Sequence, residues 1–431
     1  MSLLIKSARI FNSPEGLLKK MDILIKGEKI YKIAPGLGKN HEDTRVIDAR
    51  GKVVAPGLID LHVHLRQPGE ESKETIKSGC ASAAAGGFTS IACMPNTRPV
   101  TDNIMMVERV NEIARREGVV KVYPVGAITK GSRGEELAEI GLMVEGGIRA
   151  VSDDGKPVEK ASMMGLAMEY AKMFHLPLIS HCEDPSLARG GAMNLGFAST
   201  RLGLKGIPDT AEAVMVARDV LLAQATGAHL HIAHVSCAKS VEIIEWARSR
   251  GIKVTAEVTP HHLSLTEEEV GEFDTDYKMN PPLRSREDVD SLRKALKKGT
   301  IDIIATDHAP HTREDKRVEF DRAPFGVVGL ETALPVVLTQ LVHPGHLKLE
   351  EALASMTIKP AEILGLDAGV IKEGADADLT IIDLDKEDRV EKEKFYSRGK
   401  NTPFQGWKVK GGPCMTIVKG KIVMKEGKVY F

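Results

Sequence analysis

The stretch Leu58-Ile59-Asp60-Leu61-His62-Val63-His64-Leu65 decides the reading of the fold. It is a short, mostly apolar run of strand character that ends in two histidines two residues apart. Seven runs of the same kind follow: FTSIACMP at 88–95, KVYPVGAIT at 121–129, IRAVSDD at 148–154, PLISHCE at 177–183, HLHIAHVS at 229–236, KVTAEVTP at 253–260 and DIIATDHAP at 302–310. Between them lie seven helix-like segments, among them KETIKSGCASAAAGG (73–87), SMMGLAMEYAKMF (162–174) and DTAEAVMVARDVLLAQAT (209–226). The last opens with Asp209 and Glu212, a D-x-x-E pair that predicts a capped helix start. Eight strands, each followed by helical or connecting sequence, predict an α/β protein built on a closed (β/α)8 TIM barrel. An open doubly wound sheet is the alternative, but no GxGxxG follows the first strand and no GxxxxGK[ST] occurs.

The two ends of the chain read differently from its middle. MDILIKGEKIYKIAPG at 21–36, DADLTIIDLD at 376–385 and CMTIVKGKIVMKEGKVYF at 414–431 alternate apolar and polar residues between Gly turns. That period of two marks half-buried antiparallel strands. Neither end supplies enough strands for a core of its own. The expected organisation is therefore a small β-sandwich made from residues 1–54 and 367–431, flanking a catalytic barrel at 55–366; two separate hairpins on the barrel are the alternative.

Composition narrows the function classes. Of 431 residues, 42% are hydrophobic and 28% charged, which sets aside disordered and low-complexity chains. Lys and Arg number 59 against 60 Asp and Glu, so the net charge of −1 offers no footprint for nucleic acid or an acidic membrane. No apolar run reaches the roughly 18 residues of a membrane span, and MSLLIKSARIF is too short and wrongly flanked for a signal peptide. Cys80, Cys93, Cys182, Cys237 and Cys414 are odd in number, scattered and without CxxC, as expected of reduced thiols in the cytoplasm.

Chemistry in such a barrel gathers at the C-terminal ends of its strands. The first run ends in His62 and His64, the fourth in Asp153 and Asp154, the fifth in His181, the sixth in His234, and the eighth in Asp307 and His308 ahead of His311. Residues two apart in a strand share a face, so His62 and His64 can aim two imidazoles at one point. Imidazole suits Zn2+, and carboxylates from other strands would complete a mixed N/O site. Ordinary roles compete residue by residue. His181 could be a hydrogen-bonded core histidine, Asp154 could close an Asp-Asp-Gly turn, and Asp307 could cap the next segment. His229 and His231 share one face while His234 falls on the other in a regular strand, so parity leaves open which reaches a metal. None of these roles explains why all the residues fall at one rim. Cys182 and Cys237 read as buried thiols.

Taken together, HVHLRQPG (62–69), MPNT (94–97), SDDG (152–155), HCED (181–184), HVS (234–236), NPPLR (280–284) and ATDHAPH (305–311) resemble, in order and spacing, the class I bacterial dihydroorotases of the amidohydrolase superfamily. The resemblance covers essentially the whole chain, including the split β domain. It implies zinc-dependent, reversible hydrolysis of the cyclic amide of (S)-dihydroorotate to N-carbamoyl-L-aspartate, the third step of de novo pyrimidine synthesis. It also implies that His62, His64 and Asp307 hold the more buried ion, that His181 and His234 hold a second, and that Asp154 is shared. Many relatives bridge two metals with a carbamylated lysine on the fourth strand; here that strand carries none, and Lys156 lies beyond it. Two ions per subunit are expected, with one as the alternative.

A ring amide bearing a carboxylate calls for a bidentate cation and amide donors. Arg66 is the expected carboxylate clamp, with Asn96 and His311 resembling its partners and Asn280 a ring-contacting amide. Asp307 is the expected catalytic proton shuttle, taking a proton from water and passing it to the leaving amide nitrogen. The charged stretch 311–324 reads as a solvated loop or, alternatively, as a mobile shield ending at Phe325 and Gly326, whose backbone could touch the ligand. The Gly-rich insertion 188–206 reads as a surface excursion or an interface. A homodimer is expected, with association with aspartate transcarbamoylase as a further partner. A hydantoinase or allantoinase would need the strand-four lysine, and a non-catalytic scaffold would lose metal ligands.

Overall fold

The structure, a computed structural model, describes residues 2–12, 16–38 and 44–431. Residue 1 and residues 13–15 and 39–43 of the expected first β segment, and with them the opening Met of MSLLIKSARIF, lie outside the described residues. Each of the eight quoted runs contributes a parallel strand: β1 Leu58–Val63, β2 Phe88–Cys93, β3 Lys121–Pro124, β4 Val151–Ser152, β5 Leu178–Ser180, β6 Leu230–Ile232, β7 Val254–Val258 and β8 Ile303–Ile304. They form two arcs, β1–β3 and β4–β8. Single bridges close both seams, Gly126 with Val151 and Val63 with His308. The apolar runs are explained by burial on both faces, which parallel strands between a barrel interior and a helix layer require. Leu61, Ala92, Val125, Ala150, Ile179, Ala233 and Ile303 fill the interior as one cluster, so the barrel is packed below its mouth.

Helices at 76–85, 104–117, 161–173, 210–226, 238–249 and 286–298 cover the outside. Thr75 caps the first of them, its hydroxyl accepting from Ser78 N at 3.1 Å. The expected cap at Asp209 is not formed: its backbone is already helical (φ −61°, ψ −27°) and its carboxylate pairs with Lys239 at 2.9 Å. Glu212 instead turns inward and accepts from Ser236 N at 3.1 Å and from the Ser236 hydroxyl. A partner 24 residues away took the side chain that local pattern assigned to the helix start.

Among the described residues the chain ends join into one sheet of nine strands. The strand 53–56 from the N-terminal side pairs antiparallel with 379–389 from the C-terminal side, Thr380 facing Ala55 and Ile381 facing Val54. Ile5, Ile10, Ile23 and Ile25 then share an apolar core with Leu379, Ile381, Met415 and Ile417. Two separate hairpins would leave those faces in water. The fold is a (β/α)8 barrel with a β-sandwich built from both ends. No helix among the described residues is long and apolar enough to cross a membrane.

Candidate active site

The strand ends bring the rim residues to one point. Asp154 lies at its centre: Oδ1 is 3.3 Å from His62 Nε2, 3.6 Å from His234 Nε2 and 3.7 Å from His181 Nδ1, while Oδ2 is 3.4 Å from His64 Nε2. Asp307 Oδ1 lies 3.0 Å from His64 Nε2 and 3.6 Å from His62 Nε2. Two groups of ligand-type atoms result, His62–His64–Asp154 and Asp154–His181–His234, and they share the Asp154 carboxylate. All six side chains are buried.

Of the adjacent acids, Asp153 does the structural work. It accepts from Ile128 N, Thr129 N and Thr129 Oγ1, and its carbonyl closes the Asp-Asp-Gly turn onto Lys156 N, which frees Asp154 to face the barrel mouth. Among the three histidines near β6, His229 and His231 both bond Thr255 Oγ1 at 2.9 Å and stay on the strand. His234 escapes strand parity through a left-handed backbone, φ +31°. Arg66 (φ +61°) and Asp307 (φ +47°) share that conformation. It is uncommon outside glycine and clusters at functional sites, where packing holds it against a cost of about 1–3 kcal/mol each.

Hydrogen bonds behind the cluster fix its tautomers. Glu257 Oε1 lies 2.5 Å from His62 Nδ1, and Asn96 Oδ1 lies 2.9 Å from His64 Nδ1. With both rings neutral, as metal ligands are, the Nδ1 atoms donate and the two Nε2 atoms are lone-pair acceptors aimed at carboxylate oxygens, themselves acceptors, a clash that only an added proton or a cation relieves. His62 Nε2 and Asp154 Oδ1 accordingly have no hydrogen-bond partner although buried. Such a convergence of acceptors is unstable without a cation at its centre. Burial alone would depress the His62 pKa, but Asp154 and Glu257 hold it well above the ordinary value, the mark of a site that attracts positive charge. The donor set of imidazoles and carboxylates therefore fits a divalent metal ion.

Glu257 was not among the sequence candidates. Its signal is an acid inside the apolar run KVTAEVTP, and the structure shows it fully buried on β7. Burial pushes its carboxyl up, yet the flanking His62 and His231 bring it down to about 2. Besides His62, it bonds His231 Nε2 at 3.1 Å and accepts from His234 N at 3.2 Å, so it orients two imidazoles and the backbone of a third histidine. Asp60 does similar work between strands, accepting from Thr306 Oγ1 at 2.6 Å and His62 N at 3.1 Å.

Above the cluster opens a cavity of about 220 Å³, whose walls include Arg66, Asn96, Asn280, His311, Phe325 and Gly326 together with five of the six acids and histidines of the cluster, all but His62. It is smaller than the roughly 300–1,000 Å³ typical of drug-sized ligands, so a single small ring suits it. Arg66 is not a surface ion pair: its protein hydrogen bond among the described residues runs from Nε to Pro310 O at 3.3 Å. Asn280 Oδ1 is buried without a partner. Asn96 lines the cavity while its Oδ1 is engaged by His64. His311 bonds Phe325 O through Nε2 at 2.8 Å.

The stretch 311–324 is neither wholly solvated nor loose. Lys316 is buried, and its Nζ donates to Thr275 O, Lys278 O and Pro324 O at 2.9–3.3 Å. Lys278 answers with bonds to Phe320 O and Asp321 O at 2.7 and 3.0 Å. The two lysines lock this loop to the one preceding Asn280. The insertion 188–206 is a small excursion around a two-stranded pair, 193–194 with 206–207, anchored where Arg284 Nη1 bonds Asn194 Oδ1 and Ile207 O. Leu195 and Phe197 on it are exposed. Cys182 and Cys237 are free and buried.

A barrel with this cluster at its mouth defines a hydrolase of the amidohydrolase class, and residues 226–424 match the amidohydrolase family model. Residues 51–240 match the dihydro-orotase-like model. A dihydroorotase of Pelotomaculum thermopropionicum is 53% identical over 426 residues, covering 99% of both chains, and one of Acetivibrio thermocellus is 50% identical over 424 residues, covering 98% of this chain and 99% of that one. Among solved structures, the L-hydantoinase (dihydropyrimidinase) of Arthrobacter aurescens superposes with a TM-score of 0.90 at 29% identity, covering 100% of this chain and 97% of that one. The chain belongs to the dihydroorotase family.

Proposed function

We propose that the protein is a class I dihydroorotase that hydrolyses the cyclic amide of (S)-dihydroorotate to N-carbamoyl-L-aspartate and closes the ring in the reverse direction. The observation that carries this reading is the Asp154 carboxylate set between two groups of imidazoles beneath a small cavity walled by Arg66 and Asn280. His62, His64 and Asp307 would hold one zinc ion, His181 and His234 a second, and Asp154 both. The short Asp154 side chain within 3.7 Å of all four imidazoles supports a site for two ions without a lysine carbamate. Bound there, zinc supplies Lewis acidity, making water a nucleophile near neutral pH and polarising the ring carbonyl.

The chain's own groups do the rest. Asp307 takes the proton from the attacking water and delivers it to the ring nitrogen as the amide bond breaks. Arg66 clamps the substrate carboxylate with His311 and Asn96 beside it. Asn280 bonds the ring, and the Phe325–Gly326 backbone closes the far wall.

The same reading divides the chain at 1–54, 55–366 and 367–431. The 53–56 strand crosses the first of these boundaries. Five free, buried cysteines support a cytoplasmic setting, and the exposed Leu195 and Phe197 support a homodimer contact on the 188–206 excursion. Association with aspartate transcarbamoylase rests on the family resemblance. The structural likeness to hydantoinases makes ring selectivity the deciding test. Ring opening of dihydroorotate, dihydrouracil and allantoin is assayed with and without chelator. Dihydroorotate should be opened by far the fastest and only without chelator; faster turnover of either neutral ring contradicts the reading.

A further inference from the structure

The cavity wall formed by His311 and the Phe325–Gly326 backbone is held by a residue from outside the barrel. Asn401 belongs to the segment between the sandwich strands 379–389 and 408–418, yet it is only 3% exposed and inserts at the barrel mouth. Its Oδ1 accepts from His311 N at 3.1 Å, and its Nδ2 donates to Ala309 O and Gly326 O, both at 3.0 Å. Its carbonyl also receives Val328 N at 2.8 Å. One side chain thus ties the segment that follows β8 to the segment that carries Gly326.

The partners are all backbone groups, so the donor and acceptor pattern is unambiguous: one N–H must be accepted and two carbonyls must be donated to. Among side chains of this length only a primary amide does both. The fit is tight, since a Cβ added at Gly399 would meet Pro310 Cβ at 2.6 Å and Asn401 Oδ1 at 2.8 Å. Gly326 itself has φ +128°, and a Cβ there would come within 2.8 Å of Ala309 Cβ and 3.1 Å of His311 Nε2. The two segments therefore meet at contact distance, and Asn401 sets their spacing. Among the described residues no hydrogen bond joins Asn401 to the ligand-type cluster.

We propose that Asn401 is a positioning residue for substrate recognition, acting through His311 and Gly326 and not through the metal or the proton shuttle. It makes the C-terminal segment part of the substrate site. The inference rests on the dihydroorotase reading. In Asn401→Ala, KM for dihydroorotate should rise at least tenfold while kcat changes less than threefold and bound metal per chain stays at the wild-type value. Asn401→Asp, nearly the same shape, keeps the acceptor but turns a carboxylate on two carbonyls. Its KM relative to wild type should be raised at neutral pH and fall partway, without reaching unity, as the pH is lowered and the carboxyl gains one proton to donate to one of the two carbonyls. A wild-type KM in both variants, or loss of metal or kcat at unchanged KM, overturns the inference. Failure of the wild-type, metal-loaded protein to open dihydroorotate would instead overturn the functional reading beneath it.

Discussion

Asp307→Asn should lower kcat for ring opening by about 10²–10⁴-fold, the range that a positioned proton-transfer group supplies. The change is small in shape and large in chemistry. Asp307 occupies a left-handed backbone position, φ +47°, and asparagine tolerates that conformation about as well as aspartate does, so the fold should survive. Burial alone would raise the Asp307 pKa. The His64, His62 and His234 imidazoles beside it instead hold it far below the ordinary carboxylate value, so the group is ionised at neutral pH and has a lone pair to offer a proton. An amide in its place can neither take that proton nor pass it on. The measurement is kcat per bound metal, with thermal unfolding as the control for folding. Wild-type kcat per bound metal would show that another group moves the proton.

Arg66→Met carries the second large effect. Methionine retains much of the apolar stem but removes the fork that would grip a carboxylate. A charge-assisted interaction of this kind contributes about 1.5–3 kcal/mol, so KM for dihydroorotate should rise about 10–150-fold. Dihydrouracil has no carboxylate, so its KM should change little. Comparing the two KM values in wild type and variant separates loss of the clamp from general damage to the site. An equal loss for both rings would mean that Arg66 supports the wall and does not recognise the acid.

Much of this candidate site is legible in the sequence because strand geometry is local. A His-x-His pair at a strand end must share a face, and the succession of strand ends in His or Asp places those residues on one rim. What escaped was whatever depends on contacts distant in sequence. Glu257 orients His62 across 195 residues, and Asn401 braces His311 across 90. Each looks ordinary in its own segment. Local pattern also misread polar residues that find buried partners: Glu212 left the helix start for Ser236, and Lys316, in a stretch rich in charge, points into a nest of backbone carbonyls. A charged residue in sequence predicts solvent unless the fold brings acceptors to it, and those acceptors belong to other loops. The choice among His229, His231 and His234 turned on a single left-handed residue at the strand end, which periodicity does not encode.

The account stands on a divalent cation held where these imidazoles and carboxylates converge, and anomalous diffraction at the zinc edge from zinc-loaded crystals tests that most directly. The predicted map has one peak among His62, His64, Asp154 and Asp307 and a second among Asp154, His181 and His234. A map without a peak at the barrel mouth, with those side chains turned away from one another, would contradict it.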